Sequence, residues 1–324
     1  MMRFSVWSQV GAMVVVSSLA GCMAPQTAAL RQDRVVSESV QVSDVPFFAQ
    51  EDYQCGPAAL AMMLSWSGKP VAPDALVKDV YVPGRKGSFA VEMAAAARRH
   101  GRLMYPLAPD LGSVVAALEQ GYPVLVLQNN GLAVYPVWHF AVVTGVDRAR
   151  ERLWLNSGRT KGLEISFSTF ERTWARGGYW ASLVLDPAAV TESLDAPVVI
   201  RELAIMDGVG AVKEAQAGFA RALITWPEQK TAWLGLASTS MKLGDLALAE
   251  STLRELVRRQ PQYGAGLNNL ADLLLRTDRP LEALPFAERA VGFLDIPATR
   301  ATLAAAQAAV AAKDEPEVPA ASGQ

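Results

Sequence analysis

The chain has 324 residues, of which 51% are hydrophobic and 19% charged, and its formal net charge is −2. That length supplies apolar residues for two cores, and the nearly neutral balance excludes the basic footprint a nucleic-acid-binding protein needs. The 2 cysteines and 2 histidines have no zinc-site spacing and no Gly-rich phosphate loop follows a predicted strand, so neither a metal nor a cofactor is expected.

At the N-terminus Arg3 precedes an apolar run, Val10 to Ala20, too short to span a bilayer comfortably. It ends in Leu19-Ala20-Gly21-Cys22, which resembles a bacterial lipobox. The resemblance implies a signal peptide over residues 1–21, cleavage before Cys22 and lipid attached to that residue, hence a membrane anchor. Met23 rather than Asp follows, which in a Gram-negative cell favours the periplasmic face of the outer membrane. Cys55 is then the one thiol left in the mature chain, without an intramolecular disulfide partner. Residues 22–42 are mixed and polar and are predicted to be a tether.

From 43 to 186 short apolar runs alternate with short helical ones. Val45 to Ala49 is strand-like, and a helix is predicted from Cys55, with Pro57 in its first turn, to Gly68-Lys-Pro70. Helices follow over 72–78 and 88–100, the second capped by Ser88 and ended by Gly101. Arg102 to Pro106 is a strand, Leu111 to Gly121 a helix and Pro123 to Gln128 a buried strand. Trp138–Val146 and Glu151–Asn156 form a hairpin around Asp147-Arg-Ala-Arg150. Ser168 to Glu171 has the form of a capping box opening a helix to Trp174, and Tyr179 to Leu185 closes a mostly antiparallel sheet. The fold class is α+β over 43–186.

Residues 187–204 are read as a linker. Beyond it Trp233, Leu236, Ala237, Ala249, Leu253 and Pro261 fall at the spacings of a tetratricopeptide unit, and Pro227 and Pro261 stand one unit apart. One period on lie Leu267, Leu270, Ala271, Ala283 and Ala290; one period back lie Ala215, Phe219, Ala222 and Pro227. An all-α repeat domain is therefore expected over 205–312, docking a protein or peptide, and residues 313–324 are expected to be a disordered tail.

Cys55 at a helix start has free N–H groups and the positive end of a helix dipole beside it, which favour thiolate. Its base must be His100 or His139. His100, beside Arg98 and Arg99 at a helix end, reads as a surface residue; His139 opens an apolar strand and pairs better with the thiol. If 147–150 turn the hairpin, the residues facing His139 fall near 156–158, where Asn156 is the candidate that orients the ring, a one-residue register slip being enough to turn it away. The oxyanion needs the Cys55 N–H and a side-chain amide, from Gln50 or Gln54, with Gln50 preferred because Gln54 adjoins the nucleophile.

The segment Val45-Pro-Phe-Phe-Ala-Gln50, then Cys55-Gly-Pro-Ala-Ala-Leu, then His139-Phe-Ala-Val-Val-Thr-Gly, is similar to the bacteriocin-processing (double-glycine leader) peptidase family, which is papain-like. The resemblance implies Cys55 as nucleophile, His139 as base and Gln50 at the oxyanion hole. The family's usual Asp after the His strand is replaced here by Asn156-Ser157, and no transporter is fused to the chain. The expectation is a lipid-anchored cysteine peptidase hydrolysing a peptide bond. Its alternatives are a catalytically degenerate adaptor and an acyltransferase using the same acyl-enzyme.

Overall fold

A computed structural model describes residues 24–32, 39–50, 54–85 and 87–314. The chain divides into two compact units; the second begins at Leu185 and also takes in Gly101–Leu103.

The first unit opens with α1 (Pro25–Gln32) and a two-residue strand, β1 (Val40–Gln41). Then come α2 (Cys55–Trp66), α3 (Pro73–Val80), α4 (Ala90–Arg99), β2 (Leu103–Pro106), α5 (Leu111–Glu119), β3 (Val124–Asn129), β4 (Trp138–Asp147), β5 (Arg152–Ser157), β6 (Thr160–Ser166), α6 (Phe167–Arg176) and β7 (Ala181–Leu185). The strands form one sheet in the order β2-β7-β3-β4-β5-β6, with β1 paired to β4. β3 pairs β4 and β7, and β4 pairs β5, all antiparallel. This is the α+β class the apolar patterning implied.

Helix α2 is apolar on every side because it lies inside: Gly56 to Leu64 are all buried. They pack with Met93, Phe140, Val142 and Val184 in one core. Gly56 is required there, since a Cβ would collide with the Ser88 side chain. Ser88 does not cap α4 as expected; the N-cap is Phe89, without a side-chain bond, and Ser88 Oγ is buried without a hydrogen-bond partner. Gly101 does take the left-handed conformation that ends such a helix (φ 71°).

Three further expectations are corrected. Val45 to Ala49 forms no strand, because β1, five residues earlier, takes the free flank of β4 at Val146 and Gly145. Glu171 closes no capping box: α6 starts at Phe167, its N-cap is Ser166, whose hydroxyl accepts from Thr169 N. Part of the span expected to be a tether is the docked helix α1. Its first turn donates to the buried Glu171 carboxylate, from Gln26 N (2.9 Å), Thr27 N (2.7 Å) and Thr27 Oγ1 (2.6 Å). A carboxylate there satisfies orphan N–H groups and complements the helix dipole. Strand β6 was not foreseen; its exposed, charged Thr160–Glu164 stretch lacks the apolar alternation that marks a strand.

The second unit is helical: α7 (Ala196–Gly208), α8 (Val212–Thr225), α9 (Lys230–Lys242), α10 (Leu246–Arg259), α11 (Gly264–Arg276), α12 (Pro280–Phe293) and α13 (Pro297–Asp314). The small residues expected at the repeat's close contacts, Ala237, Ala249, Ala271, Ala283 and Ala290, are fully buried, as are Leu253, Leu267 and Leu270. Side chains this small let neighbouring helices approach closely. Half of the expected linker is helix α7, whose N-cap Asp195 accepts from Val198 N at 3.0 Å with Pro197 in the first turn. Among the described residues no helix is long and apolar enough to cross a membrane.

Candidate active site

Cys55 is the first residue of α2, and Gln54 before it is the N-cap, without a side-chain cap bond. The sulfur is half-buried. Burial pushes the Cys55 thiol above its ordinary value, and the backbone N–H groups of Phe140, Gly56 and Cys55 itself pull only part of the way back. The helix start therefore does not by itself produce a thiolate here, contrary to the sequence expectation: desolvation by the packed core outweighs the amides.

His139 is the second residue of β4, directly across β3 from Gln128. Burial lowers its pKa below the ordinary value, so the ring is neutral at pH 7. Its Nε2 lies 2.8 Å from Ser157 Oγ. Asn156 is instead buried opposite Val142, where its Oδ1 accepts from Gly162 N at 3.2 Å. The cause is the irregularity between Val143 and Gly145, which shifts the β4–β5 register by one residue. Side chains alternate between sheet faces, so Asn156 shares the face of Val142 while Ser157 shares that of His139. Ser157, not Asn156, is thus the side chain that meets the ring. Ser157 lies inside the window the hairpin defines but is neither an amide nor a carboxylate, and no signal in the sequence marks the bulge.

Gln50 is buried. Its N–H donates to Gly158 O at 3.1 Å, and its Nε2 makes a long contact with Phe140 O, 3.5 Å. Three of the selected residues thus converge: Gln50 reaches the carbonyl of Phe140, Cys55 sulfur the N–H of Phe140, and His139 precedes it in the strand. Among the described residues no hydrogen bond joins the sulfur to the ring. His100 is the C-cap of α4, its N–H bonded to Ala96 O and its Nε2 3.8 Å from Asp79 Oδ2, away from this cluster. Cys22 lies outside the described residues, and among those described no group of three or more His, Cys, Asp or Glu could hold a metal ion.

The Peptidase C39 like family matches residues 42–182, and the tetratricopeptide repeat matches 209–263 and 237–298. The chain joins a C39-like peptidase domain to tetratricopeptide repeats. Among solved structures, a C39-like peptidase from Bacillus anthracis is 17% identical with a TM-score of 0.40, the match covering 46% of this chain and 98% of that one. The peptidase domain of Streptococcus ComA, described as a bi-functional ABC transporter, is 20% identical with a TM-score of 0.37, over 44% of this chain and 98% of that one. For the repeats, a thermophilic tetratricopeptide protein of Thermus thermophilus is 22% identical with a TM-score of 0.34, over 37% and 68%. No curated protein matches the chain. The C39-like match takes in α2 and strands β2 to β6, and the repeat matches take in helices α8 to α12.

Proposed function

We propose that the protein is a lipid-anchored cysteine peptidase of the bacterial cell envelope, its lipid on Cys22 and its tetratricopeptide repeats docking a protein or peptide. What supports this most is the convergence of Gln50, Cys55 and His139 on one strand start, with a hydroxyl holding the ring. In the tautomer whose Nε2–H donates to Ser157 Oγ, Nδ1 carries the lone pair that can accept the thiol proton. The sulfur then attacks the carbonyl carbon, while the Cys55 N–H and Gln50 Nε2 receive the oxyanion. The C–N bond breaks as imidazolium returns its proton to the leaving amine. Water, deprotonated by the ring, releases the acid and restores the thiol. Catalysis on this reading requires sulfur and ring to close into hydrogen-bond range when substrate binds, as catalytic contacts commonly do.

The test is labelling by an acylating probe and turnover of a peptide library. Wild type should label and turn over, Cys55→Ala should do neither while keeping its fold, and His139→Ala should label slowly. Labelling unchanged by Cys55→Ala would remove that residue from the mechanism. A second reading, a degenerate peptidase-like adaptor, is favoured by the raised thiol, the depressed imidazole and the neutral Ser157 where a carboxylate would stabilise imidazolium. It calls for stable capture of a partner through the repeats and no turnover of any peptide. Passage of the acyl group to an amine instead of water would show as a conjugate product in the same assay.

A further inference from the structure

Between β3 and β4 the chain makes a loop, Gly131-Leu-Ala-Val-Tyr-Pro-Val137, that leads through Trp138, the first residue of β4, straight into His139. The Leu132, Val134, Tyr135, Val137 and Trp138 side chains are 53% to 79% exposed, an unusual concentration for a soluble surface. The loop is nevertheless built. Asn129 Oδ1 accepts from both Gly131 N and Val137 N at 2.9 Å, and Asn130 N donates to Val137 O at 2.9 Å. A Cβ on Gly131 would run into the Tyr135 carbonyl. The fold spends hydrogen bonds to hold apolar side chains outward.

Two neighbouring features say what covers them. Helix α6 ties the loop down through Arg176 Nε, which donates to Asn129 O at 3.2 Å. One turn back on the same face stands Arg172, which lines a cleft of about 300 Å³ with Ala24, Pro25, Arg31 and Ser168. Ala24 is where the described chain begins, two residues after Cys22. Neither Arg172 nor Arg176 is in an ion pair among the described residues, and residues 129–138 carry no charge at all. An apolar loop with a Trp and a Tyr, next to two cations and the point where an acyl chain would attach, matches the layers of a bilayer: acyl region, interface, anionic headgroups.

We propose that this face of the C39-like domain rests on an anionic lipid surface, with residues 131–138 inserted and Arg172 and Arg176 on the headgroups. It rests on the proposed lipid anchor for its place in the cell, but the loop acts on its own. A lipid on Cys22 would stand two positions before Ala24 in the chain, beside the cleft that Arg172 lines. His139, the next residue after Trp138, then works on chains at that surface.

The experiment uses the chain from Met23 onward, which keeps every described residue and lacks any acyl group, in co-sedimentation with phosphatidylcholine vesicles containing or lacking phosphatidylglycerol. Binding should be present with the anionic vesicles and weaker with neutral ones. Replacing Leu132, Val134 and Tyr135 together by Ser should weaken it by about tenfold or more, and Arg172→Gln or Arg176→Gln by about fivefold each, the latter two only on anionic vesicles. A second arm avoids loop variants that misfold: brominated lipids should quench wild-type tryptophan fluorescence more than that of Trp138→Phe. No binding to either vesicle, or binding that the loop variant leaves unchanged, overturns the proposal; recognition of apolar peptides without vesicle binding does the same. Acylation of the full chain is read separately by mass, so an acylated protein whose Met23 form ignores vesicles would keep the anchor and discard this surface.

Discussion

Ser157→Ala tests the candidate site most directly. In the resting state the 2.8 Å contact joins a neutral ring to a hydroxyl, a bond worth about 1 kcal/mol net. When the ring takes the thiol proton the bond becomes charge-assisted and roughly twice as strong. Only the increase lowers the barrier, so deleting the hydroxyl costs about 1 kcal/mol in the transition state, or about fivefold in rate. The assay is the rate of Cys55 acylation by an activated ester as a function of pH, alongside the ring proton resonances of a protein with only 2 histidines. Asn156→Ala is the control. It removes the acceptor for Gly162 N, so it should lower stability and leave the rate within about twofold. Ser157→Asp should raise the pKa of His139 by placing a carboxylate on Nε2, and should speed acylation at neutral pH. A Ser157→Ala protein as fast as wild type, or an Asn156→Ala protein slowed as much as that one, would refute the assignment of Ser157 as the orienting residue.

Gly56→Ala should lower the thermal midpoint, since the new methyl must displace the Ser88 side chain and Met93 Sδ within a packed core at about 1–3 kcal/mol; an unchanged midpoint would contradict the close approach. Glu171→Ala strips three donors of α1 of their acceptor, so hydrogen exchange over residues 25–32 should accelerate while the sheet stays protected, and equal protection in both proteins would deny that the carboxylate holds the helix. Stability should pass through a maximum near neutral pH. His139 is depressed on folding, so its contribution is complete above its ordinary 6.5 and is lost as pH falls below that. Cys55 is raised, so its contribution is complete below its ordinary 9.0 and is lost as pH climbs past it. Urea midpoints measured from pH 5 to pH 10 would check both flanks; replacing Cys55 by Ala should remove the alkaline one alone.

How much could be read in advance depended on whether a feature was written in local pattern or in geometry between distant residues. The repeats were legible because each one restates the same spacing of small and large residues, and Ala237 and Ala271 could be placed in the core without any structure. That Cys55 and His139 lie near each other was legible because the chain has only 2 cysteines and 2 histidines, and that Gln50 joins them because it stands just upstream of the cysteine's helix. Ser157 was not, because the single extra residue in β4 decides which of two neighbours faces the ring, and a bulge leaves no compositional mark. Glu171 had the spacing of a capping box and was claimed instead by α1, a helix some 140 positions away in sequence. The thiolate expected at Cys55 fails for a related reason: dipole and amides are local and visible, whereas the desolvation that outweighs them comes from the core around α2.

Among the described residues, strand β6 ends the sheet on one side and pairs only with β5. An unguarded outer strand would let neighbouring copies zip together, a hazard that grows where proteins are concentrated in two dimensions. This one offers Lys161 and Glu164 and a left-handed Gly162 (φ 65°) in place of a flat apolar rim. What makes β6 hard to recognise as a strand also makes it a poor template for pairing with a second copy.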